Sequence, residues 1–283
     1  MNNNKAKQLI ENALTSLTES LEAGQSDELK RYLQTLSRFH QYSLRNVMLI
    51  ALQKPDATHV AGFHTWKKLG RFVKKGANGI VIIAPLVYKK ETVEENDNRS
   101  NVTEINGFKG VYVFDISQTD GDDLPEFASV QGDPTRYQEE LGNFISANGI
   151  TLEYSDTLQA YGISMKGTIV IRSGLSPAQD FSVKVHELAH EFLHHSGEKL
   201  SKTQKETEAE AVAYVVSQSI GLHTNTAFSD YIQLYKGDKE MLLSSIQRIK
   251  DVSGRILDGL TYEYHNLDME TARNGGFLLC DFA

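Results

Sequence analysis

A single cysteine, Cys280, stands in 283 residues, so no internal disulfide can form. That excludes a disulfide-stapled secreted scaffold. In a chain tail, Cys280 reads as a residue of no special role rather than a nucleophile. Long apolar runs are missing too. None approaches the roughly 20 residues that cross a bilayer. The start, Met1-Asn2-Asn3-Asn4-Lys5, leads into an amphipathic pattern without the apolar core of a signal peptide. These absences predict a cytoplasmic protein with no membrane partner. No internal repeat is visible. Acidic residues are nearly lacking from one block: residues 30–90 hold twelve Lys or Arg against Asp56 alone. Residues 116–283 reverse this, with thirteen basic and twenty-five acidic residues, and the whole chain carries −8. A split of this kind points to two functions on one chain, one of them directed at a polyanion.

Apolar spacing predicts a first helix through Leu9, Ile10, Ala13, Leu14, Leu17 and Leu21, broken by Gly24 and Ser26. A second carries Tyr32, Leu33, Leu36 and Phe39. A third starts at the cap Ser43 and ends before Pro55. Strands are expected near Thr58–Gly62, Gly79–Tyr88 and Phe108–Ile116, with the polar stretch Lys89 to Asn106 as an exposed hairpin loop. The connection Gly121 to Gly132 marks a domain boundary. Beyond it, Asp133-Pro134 opens a helix that runs to Gly149. Short strands follow at about Gln159–Met165 and Thr168–Arg172, turned by Lys166-Gly167. Ser176-Pro177-Ala178-Gln179 and Ser201-Lys202-Thr203-Gln204 each offer reciprocal capping of a helix start. Gly197 and Gly221 supply the stops. The short link between these two helices makes them an antiparallel pair.

The first of the pair carries His186-Glu187-Leu188-Ala189-His190. Histidines four apart lie on one helix face and form half of a zinc site. Glu187, beside the first, is placed to act as general base toward a metal-activated water. A catalytic zinc needs a third protein ligand. The second helix offers Glu206, Glu208 and Glu210, of which Glu206 and Glu210 share a face. Ala209, Val212, Ala213 and Val216 flank that face, and a carboxylate buried there is costly unless it meets a cation. Glu206 is therefore the expected third ligand. Glu210 is expected to accept a hydrogen bond from a liganding histidine. Zn2+ is the ion this donor set favours, with Mn2+ or another divalent ion as the alternative. His194 and His195 are read as structural or rim residues. His223 and Tyr214 are read as packed or surface residues, with steadying of an oxyanion as the second role.

Residues Val60 to Gly76 interleave aromatics with cations. Single-stranded nucleic acid wants that pairing, because ring faces stack on unpaired bases while Lys and Arg follow phosphates. The residues expected to line the surface are Tyr42, Arg45, Asn46, Trp66, Lys67, Lys68, Arg71, Lys74 and Lys75. The bland alternative puts Phe63, Trp66 and Phe72 in the core and leaves the lysines to solvent. Binding of this kind is expected to tolerate sequence and to be sensitive to salt.

Phe39-His40-Gln41-Tyr42-Ser43-Leu44-Arg45-Asn46, Ala61-Gly62-Phe63 through Gly76, Gly79-Ile80, Ala84-Pro85 and Val113-Phe114-Asp115-Ile116-Ser117-Gln118-Thr119 resemble the N-terminal domain of ArdC-type antirestriction proteins. The His-Glu-x-x-His helix and the helix Glu206–Ala213 resemble their zincin-type metalloprotease-like domain, shared with ImmA/IrrE-type peptidases. The resemblance implies a single-stranded-DNA-binding domain, carriage on plasmids, phages or other mobile elements, and protection of incoming DNA from restriction. It also implies a third metal ligand at Glu206.

These readings give an α+β chain. An N-terminal α/β single-stranded-DNA-binding domain takes residues 1–120, and a zincin-like metallopeptidase domain takes residues 126–283. The expected function is a DNA-binding antirestriction or anti-defence factor carrying a zinc metallopeptidase-like hydrolase centre. One rival is a regulatory zinc peptidase that cleaves a repressor or another protein substrate. The other is a non-enzymatic DNA-binding shield whose metal is structural.

Overall fold

The computed structural model describes residues 3–23, 27–93, 99–122, 134–193, 200–222 and 239–275. Asp133, His194, His195, Gly197, His223 and Cys280 lie outside them. The described residues fall into two compact units. The first takes those within 1–15 and 41–124, the second those within 16–40 and 125–277.

In the first unit, residues 3–15 of helix α1 (Asn3–Glu22) contribute Leu9 and Ile10 to a core around Leu49 and Val81. Leu49 belongs to α3 (Leu44–Gln53), whose start is capped by Ser43 accepting the Asn46 N–H. Then come β1 (Val60–Gly62), α4 (Phe63–Lys68), β2 (Arg71–Val73), β3 (Ile80–Val93), β4 (Arg99–Asp115) and β5 (Thr119–Gly121). A sheet of order β1-β4-β3 and a β2-β5 ribbon result. The stretch expected as a hairpin loop is mostly strand, since the antiparallel ladder runs on from Lys89↔Thr103 to Val93↔Arg99. Backbone bonds carry such a ladder whatever the polarity of its side chains, and Thr92, Val93, Val102 and Thr103 are β-branched. The register shifts between Pro85 and Val87, where proline removes a ladder donor.

In the second unit, α2 (Asp27–Arg38) buries Leu29, Tyr32, Leu33 and Leu36. It packs on α7 (Lys202–Ser219). The Ser219 hydroxyl donates to the Ser37 carbonyl at 2.7 Å. Residues 16–40 thus pack with the second unit, whereas the sequence reading grouped them with residues 1–120. Helix α5 (Pro134–Ala147) leads to β6 (Thr151–Ser155), β7 (Gly162–Met165) and β8 (Thr168–Arg172). Strand β6 pairs parallel with β8, and β7 pairs antiparallel with it, giving the order β6-β8-β7. The sequence reading missed β6, whose burial pattern shows no clean alternation. Helix α6 (Pro177–Leu193) lies on this sheet and against α7. Helix α8 (Lys239–Gly275) packs on α5 and α7. Both expected capping pairs form. Ser176 and Gln179 bond reciprocally at 3.3 and 3.4 Å, and Ser201 and Gln204 at 2.9 and 3.2 Å.

Candidate metal centre and basic surface

The first unit sorts the expected DNA-binding residues into two kinds. Trp66 is only 2% exposed and donates its indole N–H to the Phe114 carbonyl at 2.8 Å. It is core, which corrects its expected role as a stacking platform. The physical reason is that a six-residue helix between two short strands must turn its largest ring inward to gain any core. Asn46 is buried, with its side-chain amide bonded to both backbone groups of Ile83. Arg71 is buried as well. Its guanidinium donates to the Thr119 hydroxyl at 2.8 Å and to the carbonyls of Thr119, Gly121 and Asp122. Both are corrected to builders of the unit. Tyr42 is half-buried, and its hydroxyl reaches the Val60 carbonyl at 3.5 Å.

Arg45, Lys67, Lys68, Lys74 and Lys75 are exposed. Lys74 pairs with Asp120 at 3.3 Å. The exposed aromatics are others than the tryptophan: Phe63, Phe72, Phe108 and Tyr112, each between 45% and 59% exposed. Phe108 and Tyr112 share one face of β4, being four residues apart on a strand. That alternation was the signal for them, and sequence reasoning passed it over in favour of the lone tryptophan. Asp115 anchors the end of β4. Its carboxylate accepts the backbone N–H groups of Thr58 at 2.7 Å, His59 at 3.2 Å and Ser117 at 2.9 Å. Burial alone raises its pKa, but these hydrogen bonds outweigh burial and hold it below the ordinary carboxylate value.

In the second unit, α6 and α7 bring His186, His190 and Glu206 together, with one ligand atom from each within 4.8 Å of the others. The two Nε2 atoms stand 3.0 Å apart. A Glu206 oxygen lies 3.5 Å from His186 Nε2 and 3.4 Å from His190 Nε2. A four-coordinate ion with bonds of about 2.0–2.2 Å spaces its ligand atoms by roughly 3.3–3.6 Å. The two edges to Glu206 have that size, and the edge between the histidines is about 0.3 Å short of it, a difference that a small opening of the rings makes up, so these donors fit a divalent cation. Glu210 stands on the far side of the first ring, 3.3 Å from His186 Nδ1. Burial would lower the His186 pKa; the Glu210 contact and the charges of Glu187, Glu210 and Glu206 reverse that and raise it.

The sidedness of α7 differs from the expectation. Glu206 and Glu210 are about half exposed, and Glu208 is the buried carboxylate. Glu208 is bound bidentately by Arg248 of α8, with Nε at 3.0 Å. Helix α7 touches α2, α6 and α8, so apolar residues surround it and mark no single inner face. Glu187 is 7% exposed and faces β7. A Cβ added to Gly162 would lie 2.8 Å from its carboxylate oxygen. Burial raises the Glu187 pKa, while the His186 charge and a hydrogen bond from the Ser164 backbone N–H oppose it. Sequence reasoning also missed Glu191, a buried carboxylate that accepts from the Ser164 hydroxyl and, at 2.9 Å, from the Gly167 N–H. Its signal was the spacing Asp180, Lys184, Glu187, Glu191, which sets four charges on one face of α6. Tyr214 is 2% exposed and belongs to the packed interior. No helix among the described residues is long and apolar enough to cross a membrane.

Comparison with known proteins adds three findings. Residues 6–114 match the family model of the N-terminal domain of anti-restriction factor ArdC. The Bacillus anthracis protein pXO2-81 is 25% identical over 319 aligned positions, which take in 95% of this chain and 54% of that protein. The chain thus spans about half the length of that curated relative. Two crystal structures of the antirestriction ArdC protein from plasmid R388, one metal-free and one Mn(II)-bound, superimpose with a TM-score of 0.54 at 19% identity. They cover 89% of this chain, and 98% and 97% of theirs. At that identity the likeness is one of fold.

Proposed function

We propose that this chain, whose residues 6–114 match the family model of the ArdC N-terminal domain, is an antirestriction protein with a single-stranded-DNA-binding first unit and a zincin-like, divalent-metal peptidase second unit. The observation that carries the second half is the triangle of His186, His190 and Glu206 with buried Glu187 beside it. His186, His190 and Glu206 would hold the ion, Zn2+ or Mn2+. A divalent ion there supplies Lewis acidity toward a peptide carbonyl and toward water. Glu210 fixes the His186 ring through Nδ1. Glu187, on the same turn as His186, is the group that takes a proton from water and passes it to a leaving amine. Strand β7 pairs with β8 alone among the described residues and so offers an open edge to an extended peptide. A closed structural metal site favours four protein ligands. The half-exposed Glu206 leaves this one open to solvent, which supports the catalytic reading over the shield.

For the first unit, the exposed rings of Phe63, Phe72, Phe108 and Tyr112 and the exposed cations Arg45, Lys67, Lys68, Lys74 and Lys75 support single-strand binding. The test of the metal half is elemental mass spectrometry of protein supplied with Zn2+ or Mn2+, paired with hydrolysis of labelled casein. Wild type is expected to carry near-stoichiometric metal. Glu187→Gln is expected to keep the metal and lose hydrolysis. Wild type that takes up neither ion would overturn the reading.

A further inference from the structure

Ser164 and its strand neighbour Gly162 lie against two carboxylates from one helix. The Ser164 hydroxyl donates to Glu191, and Gly162 comes so close to Glu187 that a Cβ there would stand 2.8 Å from its carboxylate oxygen. Glu187 and Glu191 are one turn apart on α6, so both face β7. The second oxygen of Glu191 takes the N–H of Gly167 at 2.9 Å. Gly167, at φ +88°, forms the turn between β7 and β8. One carboxylate therefore grips the hairpin at two places, on the strand and at the turn.

We infer that Glu191 is a positioning residue, which locks the β7–β8 hairpin onto α6 and so fixes Ser164 and Gly162 against Glu187. For its catalytic consequence this rests on the peptidase reading above. Glu191 is only 4% exposed, and a carboxylate that deep is costly where packing alone is needed. It sits where the sheet gives least support, since β8 is the sole strand partner of β7 among the described residues. The fit it maintains has no slack. Even a Cβ on Gly162 would stand 2.7 Å from Val183 and 2.8 Å from Glu187. Sliding of the hairpin therefore moves the Glu187 carboxylate directly.

The test compares wild type with Glu191→Ala, Glu191→Gln and Ser164→Ala, all loaded with Mn2+. Amide hydrogen exchange at Gly167, metal content, and kcat and KM on casein are measured. In Glu191→Ala, Gly167 is expected to exchange about 10–100-fold faster, because a hydrogen bond to a charged acceptor is lost. Metal content stays near wild type and kcat falls at least about tenfold, as a misplaced group requires. Glu191→Gln keeps an acceptor for Gly167 and restores part of both. Unchanged exchange at Gly167, or faster exchange with unchanged kcat, overturns the inference. If Glu191→Ala does not fold, Glu191→Gln and Ser164→Ala decide by the same two readouts. If wild type hydrolyses nothing, the peptidase reading fails by itself, and exchange at Gly167 alone then decides whether Glu191 holds the hairpin.

Discussion

Asn46 on α3 and Ile83 on β3 exchange two hydrogen bonds. The Asn46 amide donates to the Ile83 carbonyl at 2.9 Å, and the Ile83 N–H donates to the Asn46 carbonyl oxygen at 2.8 Å. Gln53 does the same for Val81, at 2.9 and 3.0 Å. Two amides, two helical turns apart, thus complete the outer edge of β3 at alternate residues. An open strand edge is a template for unwanted pairing, and here a helix covers it.

Asn46→Ala should therefore cost the first unit roughly 1–3 kcal/mol, because both backbone groups of half-buried Ile83 lose their partners. Arg45→Ala, one residue away and exposed, should stay within about 0.5 kcal/mol. Urea unfolding of the two variants checks this. Equal stabilities would mean that the edge is satisfied in another way.

Single-strand binding should follow the exposed residues. Lys67→Ala with Lys68→Ala and Lys75→Ala should weaken binding of an oligonucleotide and flatten its salt dependence, lowering the slope of log K against log salt by about 0.7 per lost phosphate contact. Phe108→Ala should weaken binding by about 1–3 kcal/mol if its ring stacks on a base. Trp66→Ala should instead unfold the unit, at a cost of about 3–5 kcal/mol. Fluorescence anisotropy at several salt concentrations separates these outcomes.

Glu206 and Glu208, two of the three glutamates of α7, should fail in opposite ways. Glu206→Ala should lose the metal and keep its thermal stability without metal, being half exposed. Glu208→Ala should keep the metal centre in the folded fraction and lose about 3–5 kcal/mol, because Arg248 is left without its buried partner. Metal content and calorimetry, run side by side, give the answer.

Asp115 makes the first unit sensitive to acid. Its pKa is held below the ordinary value, so its stabilisation is complete above about pH 4 and fades as pH falls through the folded-state value. Asp115→Asn should be less stable than wild type at pH 7 by about 1–3 kcal/mol. The gap should close as the pH drops through the folded-state value. A gap independent of pH would show that the carboxylate charge contributes nothing.

Local pattern carried much of this molecule. Ser43, Ser176 and Ser201 marked three helix starts from their own neighbourhoods, and the caps form there. The spacing of His186 and His190 put them on one face with no knowledge of the fold. The capped pair of helices with a short link placed Glu206 within reach of both histidines. The ladder beyond Tyr88 was hidden because its bonds belong to the backbone, while its side chains read as a polar loop.

What the sequence by itself determined, then, was the apolar periodicity of α1 and α2, the starts of α3, α6 and α7, the charge split between the halves and the pair of histidines on one face of α6. The tertiary structure decided which faces are inside. Trp66 went to the core because Phe114, far along the chain, offers it a carbonyl. Glu208 went inside because Arg248, forty residues on, meets it there. Glu191 gained its purpose only when the β7–β8 hairpin came to rest on α6. The reason is physical: a helix or strand presents its residues by a local rule, but burial depends on what packs against it. For a helix such as α7, surrounded by three others, no apolar stripe in its own residues can say which side that will be.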